Sequence, residues 1–315
     1  MRTVLIIGGN GFIGYHVLRR LARENVKIRS IDRIVPEQEY SYPNVDYRTG
    51  DIWERDFLED AIKGVDVVLD FVSTTMPSNK EISLETEINR TLKYHDYILS
   101  MMTSLGVKNY IFPSSGGAVY GSRESEMAIE EDLLKPTTPY GAGKKMAEDI
   151  IHYYSNRCGL SASVLRIGNV YGSKRFRDRP QGVIDVFVQN AIEGKAIVLW
   201  GNASTAIRDY VYLDDVAEAI KMVIDNCNHG VHTYNIGTGI GTSVDQIVKM
   251  IETEFGYELT KEYRNNKSSG VDHIVLSNKK IFNEIGWQPK IELSEGIRKT
   301  IEDKKRILRH REDLT

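Results

Sequence analysis

The amino-acid sequence predicts an α/β protein, a doubly wound parallel sheet with a smaller second α/β lobe. Three observations carry that expectation. Apolar runs of strand length alternate with longer amphipathic stretches through the first half, the pattern of a parallel sheet covered by helices. The first run opens into a glycine-rich string and then a helix. After Asn169 the alternation loosens.

In chain order, Thr3–Ile7 reads as a buried strand, Phe12–Arg23 as a helix and Lys27–Ile31 as the next strand. Val45–Thr49 and Asp66–Phe71 are further expected strands, with a helix near Glu54–Ile62 between them. The long helical stretch Ile82–Leu105 leads to a strand at Asn109–Pro113, and a helix over Tyr140–Arg157 leads to one at Ser163–Ile167. Lys174–Pro180 is a polar, basic loop. Then come a helix near Val183–Ala191, strands at Ile197–Trp200 and Tyr210–Leu213, and a helix at Asp214–Cys227. A strand at His232–Ile236, a helix at Ser243–Phe255, a strand at His273–Leu276 and a helix at Leu293–Arg309 finish the reading. The changed rhythm assigns residues 1–168 plus about 209–236 to the first domain, and about 169–208 plus 237–315 to the second lobe.

Composition narrows the function classes. The chain has 315 residues, 41% hydrophobic and 27% charged, with 26 Gly and 8 Pro, which excludes collagen-like, low-complexity and disordered readings. A formal net charge of -3, from 41 basic and 44 acidic residues, gives no reason to expect nucleic acid as a partner. Cys158 and Cys227 form no disulfide framework, and the seven His residues show no H-x-x-x-H or mixed Cys/His cluster, so no metal is expected. The apolar start Val4–Ile7 stops at Gly8, and no apolar run approaches the roughly 18 residues of a membrane span. A cytoplasmic protein without a membrane partner is the expectation.

Two motifs carry chemistry. In Gly8-Gly9-Asn10-Gly11-Phe12-Ile13-Gly14, either Gly9 or Gly8 can lead a glycine fingerprint with Gly11 and Gly14. Such glycines permit a tight turn and let backbone approach a pyrophosphate, which the helix N-terminus attracts. Asp32 ends the second strand 21 residues after Gly11, where a carboxylate accepts both ribose hydroxyls and repels a 2′-phosphate. This favours NAD, although Arg33 next door could serve a phosphate. The second motif is Tyr140-Gly141-Ala142-Gly143-Lys144, whose ends share one helix face. A phenol has a pKa near 10 and is a poor base, and a neighbouring ammonium with an oxidised nicotinamide would favour phenolate. Tyr257–Lys261 repeats the spacing and reads as coincidence, whereas Tyr140 follows Pro139 and lies downstream of the strand end Ser114–Gly121.

With these pieces assembled, the chain resembles the extended short-chain dehydrogenase/reductases of the nucleotide-sugar epimerase and dehydratase group, most of all the UDP-glucose 4-epimerases. The resemblance spans nearly the whole chain: Gly8–Gly14, Gly50–Ile52, Asn89, Ser114–Gly121, Pro139–Lys144, Arg166–Gly172, Arg208–Val216 and Asn235–Gly239. It implies a Rossmann-like NAD-binding domain, a substrate-binding lobe and a site in the cleft between them. By position, Gly8, Gly11, Phe12, Ile13, Asp32, Asp51 and Ile52 would hold the adenosine and pyrophosphate. Ser73, Asn89 and Lys144 would lie along the nicotinamide, with Tyr140 as acid/base. Asn169 would contact substrate, and Arg208 would clamp the diphosphate unless it is only a surface partner of Asp209. A homodimer through the helices matching Ile82–Leu105 and Tyr140–Arg157 is also implied.

Departures from the group's pattern refine the reaction. Dehydratases of the group carry acids just before the Val of Val119-Tyr120-Gly121, and this chain has Gly117-Ala118. That favours NAD-dependent 4-epimerisation of a UDP-hexose through a transient 4-keto sugar. The alternatives are a related oxidoreductase or dehydratase, or a non-catalytic NAD-binding protein. Where many epimerases have a catalytic Ser or Thr this chain has Gly116, leaving Ser115 or Ser114, both also natural strand-end caps. Ser268 stands where a second diphosphate Arg is common, so Lys267 or Arg264 would substitute. The side chain limiting sugar size falls on Val275, small enough for an N-acetylhexosamine. His95 and His152 are expected to face a partner or solvent, Gly237–Gly239 to turn between lobes, and Glu302–Glu312 to be a solvated helix.

Overall fold

The computed structural model describes residues 1–73, 75, 81–123, 126–174, 181–201, 206–264 and 271–312. The first half runs β1 (Thr3–Ile7), α1 (Phe12–Leu21), β2 (Lys27–Asp32), β3 (Val45–Thr49), α2 (Arg55–Ile62), β4 (Val67–Asp70), α3 (Leu84–Ser104), β5 (Asn109–Ser115), α4 (Gly116–Val119), α5 (Pro139–Cys158) and β6 (Ser161–Ile167). β7 (Asn169–Tyr171), α6 (Val183–Ile192), β8 (Ile197–Trp200), β9 (Ile207–Tyr212), α7 (Leu213–Asp225) and β10 (Val231–Ile236) follow. The last elements are β11 (Gly241–Ser243), α8 (Val244–Phe255), β12 (Lys261–Arg264), β13 (His273–Ile274), α9 (Lys279–Ile285) and α10 (Leu293–Glu312).

Seven strands form one sheet in the order β10-β6-β5-β4-β1-β2-β3, and every pairing is parallel. Both faces are covered, as the near-continuous apolar strands require. Along β1, Leu5 and Ile7 pack with residues of α2, α3 and α5, while Val4 and Ile6 pack with those of α1, α7 and α9. Strand order reverses between β1 and β4, so a crevice opens beyond their paired ends, Ile7 and Asp70.

The helix bearing Tyr140 and Lys144 is firmly started and stopped. Thr138 caps α5 by accepting from Gly141 N, Pro139 fills its first turn, and Gly159 ends it at φ 67°. In the smaller sheet β9 is central, pairing with β7, β13 and, antiparallel, β11. β9 crosses the expected domain limit near 208 and pairs wholly within this sheet; the chain returns to the large layer at Leu213, which starts α7 instead of ending a strand.

Other expectations change. The strand foreseen at His273–Leu276 is only His273–Ile274, because Leu276 bridges instead to Ala128. His95 is 4% exposed, edge-on to Tyr94 and Phe112, and so faces neither partner nor solvent. The terminal helix is not simply solvated either: Lys304, 1% exposed, turns inward to Asp185 at 3.3 Å. Among the described residues, no helix is long and apolar enough to cross a membrane.

Candidate active site

The crevice beyond β1 is shaped by backbone. Gly8 adopts φ 80°, a Cβ on it would lie 3.4 Å from Phe71 and Val72, and its carbonyl accepts from Gly11 N. A Cβ on Gly14 would lie 2.2 Å from that carbonyl, so helix and turn meet only because Gly is there. α1 begins with neither a side-chain cap nor an acid in its first turn, which leaves its N–H groups and dipole available to an anion. Phe12 and Ile13 form that first turn, half-buried. Beside it, the Asp32 carboxylate accepts from Asn10 N at 3.0 Å and Ile34 N at 3.3 Å. Asp51 accepts from Trp53 N and lies 3.9 Å from Arg33, while Ile52 is buried. Ser73 is exposed at the next strand end, donating to Thr75 O.

On the other side of the crevice, the structure joins Tyr140, Lys144 and Ser115. Lys144 Nζ donates to Pro113 O at 2.9 Å, lies 4.5 Å above the Phe112 ring and is 5.9 Å from the Tyr140 ring centre. Burial pushes Lys144 down to about 8, against the pull of Asp70, Glu148 and Glu87. Tyr140 is pushed up to about 12 by burial, with a hydrogen bond to Ser115 opposing the rise and Glu87 adding to it. The protein's own groups therefore leave this phenol protonated, contrary to a shift driven by Lys144 alone. Of the two candidate hydroxyls, Ser115 reaches Tyr140, whereas Ser114 donates to Glu148, itself bidentate with Arg166.

Two acids near Lys144 escaped the sequence reading. Asp70, 1% exposed, accepts from Tyr94 and Tyr110 hydroxyls at 2.8 and 2.6 Å. Glu87 lies on the buried face of α3 with Thr91, Tyr94 and Ile98, while Asn89 is on the exposed face. The signal was available, since residues 87, 91, 94 and 98 follow helical spacing.

In the smaller sheet, Arg208 donates through Nη1 to Ile207 O and Asp272 O, both at 2.9 Å. It makes no pair with Asp209, which is 1% exposed and accepts from Thr238 N, Thr238 Oγ1, Gly239 N and Leu276 N. The Gly237–Gly239 turn is thus wound around a carboxylate, which disfavours a phosphate there. Asn169 faces α4, where a Cβ on Gly117 would meet its Oδ1 at 3.1 Å. Val275 is buried, and a Cβ on Gly241 would lie 2.9 Å from its Cγ2. Lys267, Ser268 and the basic stretch 175–180 lie outside the described residues.

Comparison with known proteins decides the family. The model of the NAD dependent epimerase/dehydratase family matches residues 4–237. The chain belongs to this family. A putative UDP-glucose 4-epimerase of Methanocaldococcus jannaschii is 30% identical over 308 residues, covering 95% of this chain and 97% of that one. The UDP-glucose 4-epimerase of Thermotoga maritima, solved with UDP-glucose, superposes with a TM-score of 0.84 at 27% identity, over 97% of this chain and 99% of its own. That of Thermus thermophilus, solved with NAD, gives 0.84 at 27% over 96% and 99%. This epimerase-family enzyme uses NAD, and its crevice fits that coenzyme: a glycine cradle that a Cβ would fill, an open helix terminus and a carboxylate at the end of β2 beside it.

Proposed function

We propose that the chain is a 4-epimerase of a UDP-hexose, UDP-glucose/UDP-galactose or their N-acetyl forms. The observation that supports this best is the grouping of Ser115 and Tyr140 with Lys144, whose Nζ lies 5.9 Å from the Tyr140 ring centre, at the mouth of the coenzyme crevice. α4 supplies only Gly116, Gly117, Ala118 and Val119 there, with no carboxylate to drive elimination. Gly8, Gly11, Phe12 and Ile13 hold the pyrophosphate, Asp32 the ribose, Asp51 and Ile52 the adenosine side, and Ser73, Tyr140 and Lys144 the nicotinamide side. Bound NAD⁺ supplies the acceptor and donor of hydride for C4, and its positive charge favours the Tyr140 phenolate.

Ser115 and Tyr140 hold the sugar's 4-hydroxyl, and Tyr140 takes its proton as C4 is oxidised. Lys144 keeps a positive charge behind the phenolate. The 4-keto sugar turns over in the cleft, anchored by Arg208 at the diphosphate and by Asn169, and Val275 limits the sugar's size. Reduction from the opposite face, with the proton returned by Tyr140, gives the epimer without net redox change. The protein acts in the cytoplasm as a homodimer through α3 and α5, which expose Leu84, Leu92 and Tyr153.

The test is NMR of products after incubation with UDP-glucose, UDP-galactose and their N-acetyl counterparts. Equilibration of a 4-epimeric pair is expected. Stoichiometric NADH growth would replace this reading with a net oxidoreductase, and inactivity on the whole panel with a non-catalytic role.

A further inference from the structure

Glu87 stands apart among the acids around Lys144. Three carboxylates act on that ammonium: Asp70 from β4, Glu148 from α5 and Glu87 from α3, with the neutral imidazole of His95 also on α3. Asp70 is saturated by two tyrosine hydroxyls and Val72 N. Glu148 is taken up by Arg166 and Ser114. Glu87 is 3% exposed, yet its Oε1 accepts only a long 3.4 Å bond from Thr91, and its Oε2 is buried with no partner.

Such an acceptor costs free energy unless something repays it. Its position shows what. The carboxyl group lies against α5 at Gly143, between Tyr140 and Lys144, where an added Cβ would come within 2.3 Å of Oε1 and 2.9 Å of Cγ. A glycine is therefore what lets this carboxylate reach the catalytic face of α5. Its charge acts on both members of the pair, raising Lys144 and Tyr140 alike.

We infer that Glu87 is a positioning residue, a counter-charge packed against α5 that, after Asp70 and Glu148, helps to keep the half-buried Lys144 ammonium protonated beside Tyr140. The inference rests on the role proposed for that pair. Glu87 touches no reacting atom; it acts through Lys144. Without it, burial would strip Lys144 of its proton nearer neutral pH, and the phenolate would lose its cation.

The experiment titrates Lys144 itself. The full-length protein is pulse-labelled with acetic anhydride across a pH series, and acylation of the Lys144 peptide is followed by mass spectrometry, with surface lysines as internal reference. Only the neutral amine reacts, so the midpoint reports its ionisation. In Glu87→Gln the midpoint is expected to fall by on the order of one pH unit. Glu87→Met should give the same displacement and serves in place of the amide variant if that one does not fold. The alkaline limb of kcat/KM should move down in parallel. A folded variant with an unmoved Lys144 midpoint overturns the inference. Labelling needs neither substrate nor turnover, so this failure is separable from that of the epimerase reading, which an active Tyr140→Phe enzyme would expose.

Discussion

Arg166 grips Glu148 behind the end of β5: Nη2 lies 2.8 Å and Nε 3.2 Å from the same carboxylate oxygen. The pair is 7% and 3% exposed, and the same Arg also donates to the Tyr120 hydroxyl at 2.9 Å. Removing one partner strands a buried charge, at a cost of about 3–5 kcal/mol, whereas replacing both with apolar groups is far milder. Arg166→Met is expected to lose that much in urea unfolding, and Arg166→Met with Glu148→Met to recover most of it. A single variant as stable as the parent would refute the account.

Tyr140→Phe is expected to lower kcat on the order of 10²–10⁴-fold, the usual contribution of a positioned acid/base. Binding of NAD, followed by calorimetry, should survive. Ser115→Ala should cost kcat about tenfold, equivalent to one hydrogen bond. Ser114→Ala should act mainly on stability, because its hydroxyl is committed to Glu148.

His95 gives a stability signature. Burial pushes it down to about 3 from an ordinary 6.5, with the Lys144 charge adding to the effect. Between those values the unfolded chain binds a proton that the native imidazole refuses. Stability is therefore intact above 6.5 and falls as pH drops through the window, by about 1.4 kcal/mol per pH unit from this group. Urea unfolding at several pH values should show a shallower acid-side decline in His95→Leu. Parallel curves for variant and parent would sink the assignment.

Asp32→Ala should weaken NAD binding by about tenfold and narrow the preference over NADP, since the carboxylate proposed to accept ribose hydroxyls and repel a phosphate is gone. Calorimetry with the two coenzymes measures both effects. Unchanged discrimination would move the specificity to Arg33.

The large sheet was legible because strands buried on both faces are written as unbroken apolar runs, as in Val4–Ile7. The string Gly8–Gly14 likewise showed its turn. α4 was not legible, because Gly116–Val119 is a four-residue helix without periodicity. β12 was missed because Lys261–Arg264 is an exposed, polar edge strand defined only by its partner β8. In the candidate site, the spacing of Tyr140 and Lys144 could be read directly, but their environment could not. Choosing Ser115 over Ser114 required knowing where Glu148 sits, and the raised phenol of Tyr140 follows from burial. Lys304 looked solvated among neighbouring charges, and only tertiary packing showed its partner to be Asp185.

Successive residues of a strand face opposite ways, and β9 places Arg208 and Asp209 side by side. One is the proposed diphosphate clamp; the other fastens the turn after β10 and the start of the Leu276 segment. Specificity and architecture thus share a single ribbon of backbone. Retuning the enzyme for a different nucleotide should therefore tolerate replacements at Thr242 and Ile274, the cross-strand neighbours of Arg208, sooner than any shift of β9 itself, which would loosen the joint between the lobes along with the grip on the ligand.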